Sequence, residues 1–214
     1  MNAVIVANGE LSNNARLQNI WQQTELRIAA DGGARNARLF LERAPHVAIG
    51  DMDSVDDETR VWLAAHHAEL IQYPRAKDET DLELALQLAH ARGADEITIL
   101  GALGGRVDQF LGNVLLLTQN RNLKIVDAAS ELWIGKGNDV VHGAKGEIVS
   151  LIPLDAKVQG ITTKDLEYPL RDETLERGST RGISNVMLGE RAQVSFKRGM
   201  LLIVHLFRQA KSEI

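Results

Sequence analysis

The segment Val47-Ala48-Ile49-Gly50-Asp51-Met52-Asp53-Ser54 joins a short apolar run to two carboxylates that stand one residue apart. The run 47–49 predicts a buried strand and places Asp51 and Asp53 on the loop that leaves its carboxyl end. In open α/β sheets, ligands bind in the crevice outside these strand ends. Two carboxylates this close repel each other unless a cation lies between them, and Mg²⁺ prefers oxygen ligands. The segment therefore predicts a strand of an α/β sheet with a Mg²⁺–phosphate site at its end.

An alternative is that this loop is only an exposed turn. In that case Asp53 or Ser54 would cap the helix that follows, and the run 54–57, Ser-Val-Asp-Asp, does fit a capping pattern. The next acidic segment of the chain distinguishes the metal site from the exposed turn.

That second segment is Lys77-Asp78-Glu79-Thr80-Asp81-Leu82-Glu83. Thr80 and Glu83 form a capping box that predicts the start of a helix, which leaves Asp78 and Asp81 without a structural role. Asp81 shares a helical face with apolar residues three, four and seven positions later, at the positive end of the helix dipole. A carboxylate there is held by backbone donors or faces a cation, and the second possibility favours the Mg²⁺ site.

The apolar pattern along the chain divides it into two parts. Strands are predicted at 3–7, 27–30, 47–49, 70–73, 96–100 and 123–126, and they alternate with helices at 14–23, 34–42, 57–67, 81–91 and 106–118. This alternation predicts a parallel α/β sheet. Beyond Gly135 the pattern changes to short β-like runs at 146–152, 157–162, 191–196 and 200–207. We therefore predict a Rossmann-like α/β domain over 1–136 and an all-β sandwich or roll over 137–214.

The composition limits the classes of function. The chain has 214 residues, a formal net charge of −5 and no cysteine. The negative charge does not favour a nucleic-acid or anionic-membrane partner, and the absence of cysteine excludes disulfides and thiolate metal sites. The first residues lack the basic region of a signal peptide, and no apolar run approaches the ~18 residues of a membrane span. These features predict a cytoplasmic protein without a membrane partner.

Two glycine loops follow predicted strands, at 31–34 and at 101–105. Glycine permits a ligand to approach the backbone closely, and a helix amino terminus favours phosphate, although tight turns alone would also explain these residues. Arg106 and Asp108 follow the second loop directly. Arg106 could bind phosphate through its guanidinium fork, and Asp108 is expected to point inward at a helix start. No Walker-A motif and no G-x-G-x-x-G motif is present.

Taken together and in order, these segments resemble thiamine pyrophosphokinase (thiamine diphosphokinase) in its bacterial form. The matching runs are 50–54, 77–83, 104–109 (Gly-Gly-Arg-Val-Asp-Gln) and 182–185 (Gly-Ile-Ser-Asn), with Asn8-Gly9 and Asp31-Gly32-Gly33 also fitting. The resemblance implies transfer of a pyrophosphoryl group from ATP to thiamine, which gives thiamine diphosphate and AMP. It also implies Mg²⁺ and a homodimer in which thiamine binds between the subunits.

Site roles follow from the resemblance position by position. The expected metal ligands are Asp51, Asp53 and Asp81. The expected catalytic residues are Asp51, Asp53, Asp78, Asp81 and Asp108, with Asp78 and Asp108 as alternative bases for the thiamine hydroxyl. The expected ATP contacts are Asn8, Asp31, Gly32, Gly33, Lys77, Thr80, Gly104 and Arg106. The expected thiamine contacts are Asp108, Gln109, Ser184 and Asn185.

Two positions depart from the family's pattern. Gln109 stands where many bacterial members have His, which excludes an imidazole base there. Ile203 takes the position at which animal members stack a Trp on thiamine, so the pocket wall is expected to be aliphatic.

Two other functions fit parts of the sequence. The run 51–55, Asp-Met-Asp-Ser-Val, also fits the phosphatase motif of the haloacid-dehalogenase type, in which the first Asp is phosphorylated. That motif normally ends the first strand, however, and no later paired-Asp motif is present. The other alternative is a non-catalytic regulator that binds nucleotide or thiamine.

Overall fold

The structure is a computed structural model that describes residues 1–208. The chain divides into two compact units, one spanning Met1–Ala128 and the other beginning at Ala129. Among the described residues, no helix combines the length and the apolarity needed to cross a membrane.

The first unit alternates strands and helices, as the periodicity predicts. Its elements are β1 (Asn2–Val6), α1 (Ala15–Gln22), β2 (Leu26–Ala30), α2 (Gly33–Asn36) with a π-helical turn (Ala37–Leu41), β3 (Val47–Gly50), α3 (Asp57–Ala65), β4 (Glu69–Gln72), α4 (Asp81–Ala91), β5 (Glu96–Leu100), α5 (Val107–Leu116) with a 3₁₀ turn (Leu117–Gln119), and β6 (Leu123–Val126).

The strands of this unit pair in parallel in the order β6-β5-β1-β2-β3-β4. Apolar side chains cover both faces, which is why the strands read as nearly continuous hydrophobic runs. On one face, three side chains pack against Val4 and other strand residues: Trp21 of α1, Leu41 of the π-helical turn and Leu63 of α3. Helix α4 packs against β1, β2 and β3.

The strand order reverses between β1 and β5. From β1 the chain proceeds through β2, β3 and β4 toward one edge, and then returns to add β5 and β6 on the other side. The chain therefore leads from β1 and from β5 to strands on opposite sides of these two neighbours. In doubly wound folds, such a topological switch point opens the ligand crevice.

The second unit is built from antiparallel strands in two sheets. Its strands are β7 (Ser130–Ile134), β8 (Asn138–His142), β9 (Ile148–Pro153), β10 (Lys157–Lys164), β11 (Glu173–Glu176), β12 (Asn185–Val186), β13 (Arg191–Ser195) and β14 (Leu201–Leu206). They pair in the orders β12-β9-β14-β7 and β11-β10-β13-β8. Val141, Val158, Ile161, Val194 and Ile203 form much of the core between them.

The predicted fold class, a Rossmann-like domain followed by an all-β domain, is confirmed. The predicted division after residue 136 lies later in the chain than the division into units, because β7 pairs with β14 of the second unit. The strand prediction omitted β7, β8, β11 and β12. β12 has two residues and β11 four, too few for an apolar period to show.

Candidate active site

A cleft of about 380 Å³ opens at the switch point of the first unit. Its walls come from the loops after β1, β2 and β5 and from the amino-terminal turns of α4 and α5. Its lining residues include Asn8, Gly9, Asp31, Ser54, Glu79, Thr80, Asp81, Gly104, Gly105, Arg106, Gln109 and Asn113. Eight of the residues predicted for the site thus reach this cleft or its rim: Asn8, Asp31, Thr80, Asp81, Gly104, Arg106 and Gln109 line it directly, and Lys77 ion-pairs with Asp81.

The loops after β1 and β5 touch each other through glycine. A Cβ added to Gly9 would lie 2.4 Å from the carbonyl oxygen of Gly101, so a residue with a side chain does not fit here. The buried side chain of Asn36 holds the first loop, since its Nδ2 donates to the carbonyl oxygens of Ala7 at 2.9 Å and Gly9 at 3.0 Å. This contact fixes one wall of the cleft.

Close packing of neighbouring loops accounts for glycine at positions 32 and 33. A Cβ on Gly32 would lie 2.3 Å from Asn8 Cγ, and one on Gly33 would lie 2.0 Å from the carbonyl oxygen of Val6. The loops after β1 and β2 therefore pack directly on each other. Packing explains these glycines without a ligand, and their predicted contact with ATP stays a prediction.

Three carboxylates meet beside this cleft. Asp31 follows β2, Asp51 follows β3 and Asp81 is the first residue of α4, and one oxygen of each lies within 4.8 Å of the others. Asp31 adopts a left-handed φ of 46°, which Asp tolerates better than most residues. Asp31 is buried, and the other two are half-buried. The convergence of three strand or helix ends thus produces a concentrated negative charge.

The carboxylate of Asp81 is electrostatically strained in this cluster. Burial raises its pKa, Lys77 opposes that rise, and the charges of Asp31 and Asp51 add to it. Lys77 Nζ lies 3.0 Å from Asp81 Oδ1 as an ion pair. That oxygen nevertheless has no partner in hydrogen-bond geometry among the described residues. The ammonium therefore compensates the charge of the oxygen without saturating its lone pairs.

The arrangement fits a divalent cation. Hard oxygen donors from separate elements converge, and one of them is buried without a hydrogen bond. Mg²⁺ takes such carboxylates together with water and phosphate oxygens. The cluster contains Asp51 and Asp81 as predicted for the metal, and it adds Asp31, which was predicted to contact ATP.

Asp53 lies outside this cluster of three. Its carboxylate accepts from Ser54 Oγ at 3.1 Å and lies 3.7 Å from Arg75 Nε, while its amide donates to Asp51 Oδ1 at 3.1 Å. Asp78 is exposed on the loop before α4. The roles of Asp53 as a metal ligand and of Asp78 as a catalytic residue stay predictions.

The predicted helix cap is present in one acidic segment and absent from the other. Thr80 caps α4 as predicted, since its Oγ1 accepts from the Glu83 amide at 3.2 Å. The alternative in which Asp53 or Ser54 caps α3 is wrong. Asp56 is the cap, accepting from the Thr59 amide at 2.7 Å, and this hydrogen bond lowers the pKa of Asp56.

The expectation that Asp108 points inward is also wrong. Its carboxylate is exposed and pairs with Arg106, whose Nη2 lies 2.6 Å from Asp108 Oδ2. This pairing holds the pKa of Asp108 below its usual range. Leu111 and Leu115, which share its helical face, are also exposed in the single chain. The apolar residues of this face marked α5 as amphipathic, but they do not face the core of their own unit.

The predicted thiamine residues of the second unit differ in their contacts. Ser184 is exposed, has a left-handed φ of 61°, and donates its amide to Ser150 Oγ at 3.0 Å. Asn185 is buried, and its side chain holds both backbone groups of Tyr168, accepting from N at 3.0 Å and donating to O at 2.7 Å. Asn185 also lines a cavity of about 430 Å³ with Tyr168 and Arg181. Thiamine contacts by Ser184 and Asn185 stay predictions.

Ile203 does not form the wall of an open pocket within this unit. It is fully buried in the core of the second unit, opposite Trp133 on β7 and Leu151 on β9. In the described chain Ile203 faces this core, as alternate residues of β14 do, and the aliphatic pocket wall expected at this position stays a prediction.

Sequence reasoning missed Asn36 and the steric role of Gly50. A Cβ on Gly50, whose φ is 148°, would lie 3.0 Å from Asp81 Oδ1 and 3.1 Å from Asp31 Cβ. The glycine directly before Asp51 was the available signal for close approach. Asn36 gave no signal, because a polar residue in a helix is ordinarily solvent-exposed.

Comparison with known proteins places this geometry in a family. The model of the thiamin pyrophosphokinase catalytic domain matches residues 17–126, and the model of the thiamin pyrophosphokinase vitamin B1 binding domain matches 138–201. The chain belongs to the thiamine pyrophosphokinase family. This confirms the resemblance seen in the acidic and glycine-containing segments.

Individual relatives agree with this assignment. The thiamine pyrophosphokinase of Bacillus subtilis strain 168 is 32% identical over 166 residues, which cover 75% of this chain and 78% of the relative. Thiamine pyrophosphokinase 1 of Oryza sativa subsp. japonica is 27% identical and covers 95% of this chain and 87% of its own length. A crystal structure of the Bacillus subtilis thiamine pyrophosphokinase superposes with a TM-score of 0.87 at 29% identity, covering 97% of this chain and 100% of that one. Nothing in these comparisons supports the phosphatase or the regulator.

Proposed function

We propose that this chain transfers a pyrophosphoryl group from ATP to the hydroxyl of thiamine, giving thiamine diphosphate and AMP, and that the reaction takes place in the switch-point cleft. The observation that carries the proposal is the cluster of Asp31, Asp51 and Asp81 beside that cleft, in a chain that matches both domain models of the family. Phosphoryl-type transfer depends chiefly on positioning and charge neutralisation, which such a cluster can organise through a metal ion.

The metal site is proposed to use Asp51, Asp53 and Asp81, as the sequence predicts, with Asp31 as an additional neighbour. Mg²⁺ held there would supply positive charge to the phosphates. Asp31 and Asp81 are fixed by their positions at the end of β2 and the start of α4. Asp53 lies on the more exposed loop, so we expect it to join the metal when nucleotide is bound.

ATP is proposed to lie along the loops after β1, β2 and β5. The predicted contacts are Asn8, Asp31, Gly32, Gly33, Lys77, Thr80, Gly104 and Arg106. Gly104 has a φ of 78°, and the neighbouring amide of Gly105 donates to Glu10 Oε1 at 3.2 Å, so this loop has a defined path beside the cleft. Arg106 and Lys77 add positive charge at the cleft and beside it, which favours an anionic ligand.

The base that accepts the proton of the thiamine hydroxyl is proposed to be Asp78 or Asp108. While Arg106 pairs with Asp108, the lowered pKa makes this carboxylate a weak base. Transfer of the Arg106 guanidinium to a phosphate would remove that effect. Asp108 is therefore proposed to act as the base after Arg106 has moved to a phosphate, and Asp78 is the alternative.

Thiamine is proposed to bind between two copies of the chain, contacting Asp108 and Gln109 of one and Ser184 and Asn185 of the other. The match of the second unit to the vitamin B1 binding domain supports its part in this site. Homodimer formation is supported by the exposed apolar side chains Val107, Leu111 and Leu115 on α5, which are unfavourable in water. A cytoplasmic location stays a prediction from composition.

The experiment that tests this function is incubation of the purified chain with ATP, Mg²⁺ and thiamine, with AMP and thiamine diphosphate followed by chromatography. Formation of both products in equal amounts is expected. Binding of thiamine or ATP without AMP release would favour a regulator. A trapped aspartyl phosphate at Asp51, which is an acyl phosphate, would favour the phosphatase.

A further inference from the structure

The loop 73–80, between β4 and α4, turns a single side chain inward. Lys77 is half-buried, whereas the other residues of this loop are exposed. The side chain of Lys77 retains 12% of its accessible surface. A lysine side chain loses rotamer freedom when it is held in this way, so a compensating interaction must fix it.

That interaction is with the acid cluster of Asp31, Asp51 and Asp81. Lys77 Nζ lies 3.0 Å from Asp81 Oδ1, and its only other close oxygen among the described residues is the carbonyl of Pro74 at 3.4 Å. The ammonium thus offsets part of the negative charge of three carboxylates whose oxygens lie within 4.8 Å of one another.

We propose that Lys77 is an internal counter-ion of this cluster, which occupies the Asp81 carboxylate until a divalent cation binds there and which then transfers to the phosphates of the nucleotide. The inference rests on the proposed metal site at the cluster. It gives Lys77 two alternating partners in place of a fixed contact with ATP.

Charge and distance require the exchange. Mg²⁺ lies about 2.1 Å from a carboxylate oxygen that it binds. A metal on Asp81 Oδ1 and an ammonium 3.0 Å from the same oxygen would be close neighbours of like charge. The two cations therefore compete for Asp81, and the ammonium requires another anionic partner, which ATP phosphate supplies.

A consequence is positive coupling between metal and nucleotide. Without ATP, a metal must displace Lys77 into solvent, which weakens metal binding. With ATP present, the displaced ammonium gains a phosphate, so each ligand strengthens the binding of the other by the same factor. Lys77 would thereby favour joint binding of metal and ATP over binding of metal alone.

The test measures Mn²⁺ affinity of the full chain without nucleotide, by the loss of the free-ion electron paramagnetic resonance signal. Lys77→Met keeps the length of the side chain but removes its charge, and it is expected to bind Mn²⁺ about tenfold more tightly than wild type, within the usual range of coupling between ligands. Lys77→Arg keeps a positive charge that competes with the metal, so it is expected to stay within about twofold of wild type.

Arg75→Met is the matched control for a general change of electrostatic field. It removes a charge of the same sign from the same loop, but Arg75 pairs with Asp53 at 3.7 Å and is largely exposed. A screened surface charge of this kind is expected to change the affinity by less than about twofold. A gain confined to Lys77→Met supports direct competition at Asp81.

Other outcomes separate the failure of this inference from failure of the metal site. If Asp81→Asn abolishes Mn²⁺ binding but Lys77→Met binds no more tightly than wild type, the counter-ion is overturned and the metal site stands. If Asp81→Asn leaves Mn²⁺ binding unchanged, both in the wild-type chain and in Lys77→Met, the metal site itself is overturned.

Should Lys77→Met be poorly folded, reductive ¹³C-methylation of the wild-type lysines provides a second test, because it keeps their charge. The Lys77 resonance must then shift when Mg²⁺ is added, and an unshifted resonance overturns the proposal.

Discussion

Gly50 lies directly beneath the carboxylate of Asp81, so close that an added Cβ would stand 3.0 Å from Asp81 Oδ1. The same Cβ would stand 3.1 Å from Asp31 Cβ, and the φ of 148° is unfavourable for any side chain. A side chain at residue 50 would therefore push the carboxylates of the acid cluster apart and strain the backbone. The glycine that ends β3 lets the cluster keep this spacing.

The first prediction is that Gly50→Ala lowers the unfolding free energy by about 1–3 kcal/mol and displaces the acid cluster. Chemical denaturation measures the stability loss, and turnover measures the displacement. Gly189→Ala is the control, because an added Cβ there meets nothing within 4 Å and its φ is not left-handed. A variant at Gly50 with wild-type stability and activity would contradict the steric argument.

The second prediction concerns the cap of α4. Thr80→Ala should destabilise the chain by about 1 kcal/mol, because the Glu83 amide, which donates to Thr80 Oγ1, loses its acceptor. Thermal unfolding gives the measurement, and Thr80→Ser, which retains the hydroxyl, should stay close to wild type. Unchanged melting together with lost activity would show that Thr80 acts on ATP and not as a cap.

The outcome at these two positions shows what sequence reasoning can reach. Thr80 was predictable because a cap is local, depending on residues three apart in the chain. The contact of Gly50 with Asp81 was not, because it joins β3 to α4 across the sheet. The same distinction explains Asp31, whose glycine loop suggested phosphate while the fold placed its carboxylate beside Asp51.

Prediction of faces failed for a different reason. Helical periodicity identified an apolar face on α5 and assigned Asp108 to it, but that face is exposed in the single chain. Periodicity tells which residues share a face and not what covers it. In the second unit, β12 has only two residues and depends on pairing with β9, which no local pattern indicates.

The third prediction distinguishes the acids of the metal site. Asp51→Asn should weaken Mn²⁺ binding in the nucleotide-free chain, whereas Asp53→Asn should affect it much less, because only Asp51 belongs to the cluster with Asp31 and Asp81. Both variants should lose turnover with little loss of fold. Titration calorimetry with Mn²⁺ and the chromatographic assay provide the two measurements. Near-normal turnover of Asp53→Asn at saturating Mg²⁺ would remove Asp53 from the metal site.

The fourth prediction concerns pH and the second unit. His205 is fully buried, and its ring nitrogens lie 3.3 Å from Glu131 Oε1 and 2.9 Å from Glu147 Oε2. Burial works to raise the pKa of Glu147, but hydrogen bonds from the amides of Arg208 and Ala144 and from His205 outweigh it, so the pKa is lowered. Because the folded-state pKa lies below the unfolded one, this stabilisation is complete above about pH 4.3 and is lost as the pH falls through the folded value.

Glu147→Gln should accordingly lower the unfolding free energy by about 1–3 kcal/mol at neutral pH, since a charged acceptor of buried hydrogen bonds is removed. The difference from wild type should shrink as the pH falls below the range of ordinary carboxyl groups. Denaturant titrations from pH 3 to 7 would measure it, spanning roughly the range in which glutamate titrates. An equal difference at every pH would mean that packing, and not charge, explains the loss. Glu176→Gln, at an exposed surface pair with Lys157, is the control.

The last prediction tests whether the active site is shared between chains. Asp108→Ala removes an acid from the first unit, and Ser184→Lys places a positive charge where the cationic thiazolium of thiamine is proposed to bind. Each variant alone should be inactive. In a mixture, half of randomly paired dimers contain both chains and each has one intact site, so about a quarter of wild-type activity should return. The chromatographic assay measures the recovered activity once subunit exchange has been shown by mass spectrometry.

Asp108→Ala mixed with Asp51→Asn is the matched control. It should remain inactive, because both changes fall in the first unit and inactivate both sites of a mixed dimer. Activity in the control mixture, or none in the test mixture, would mean that the site is not divided between chains in this way.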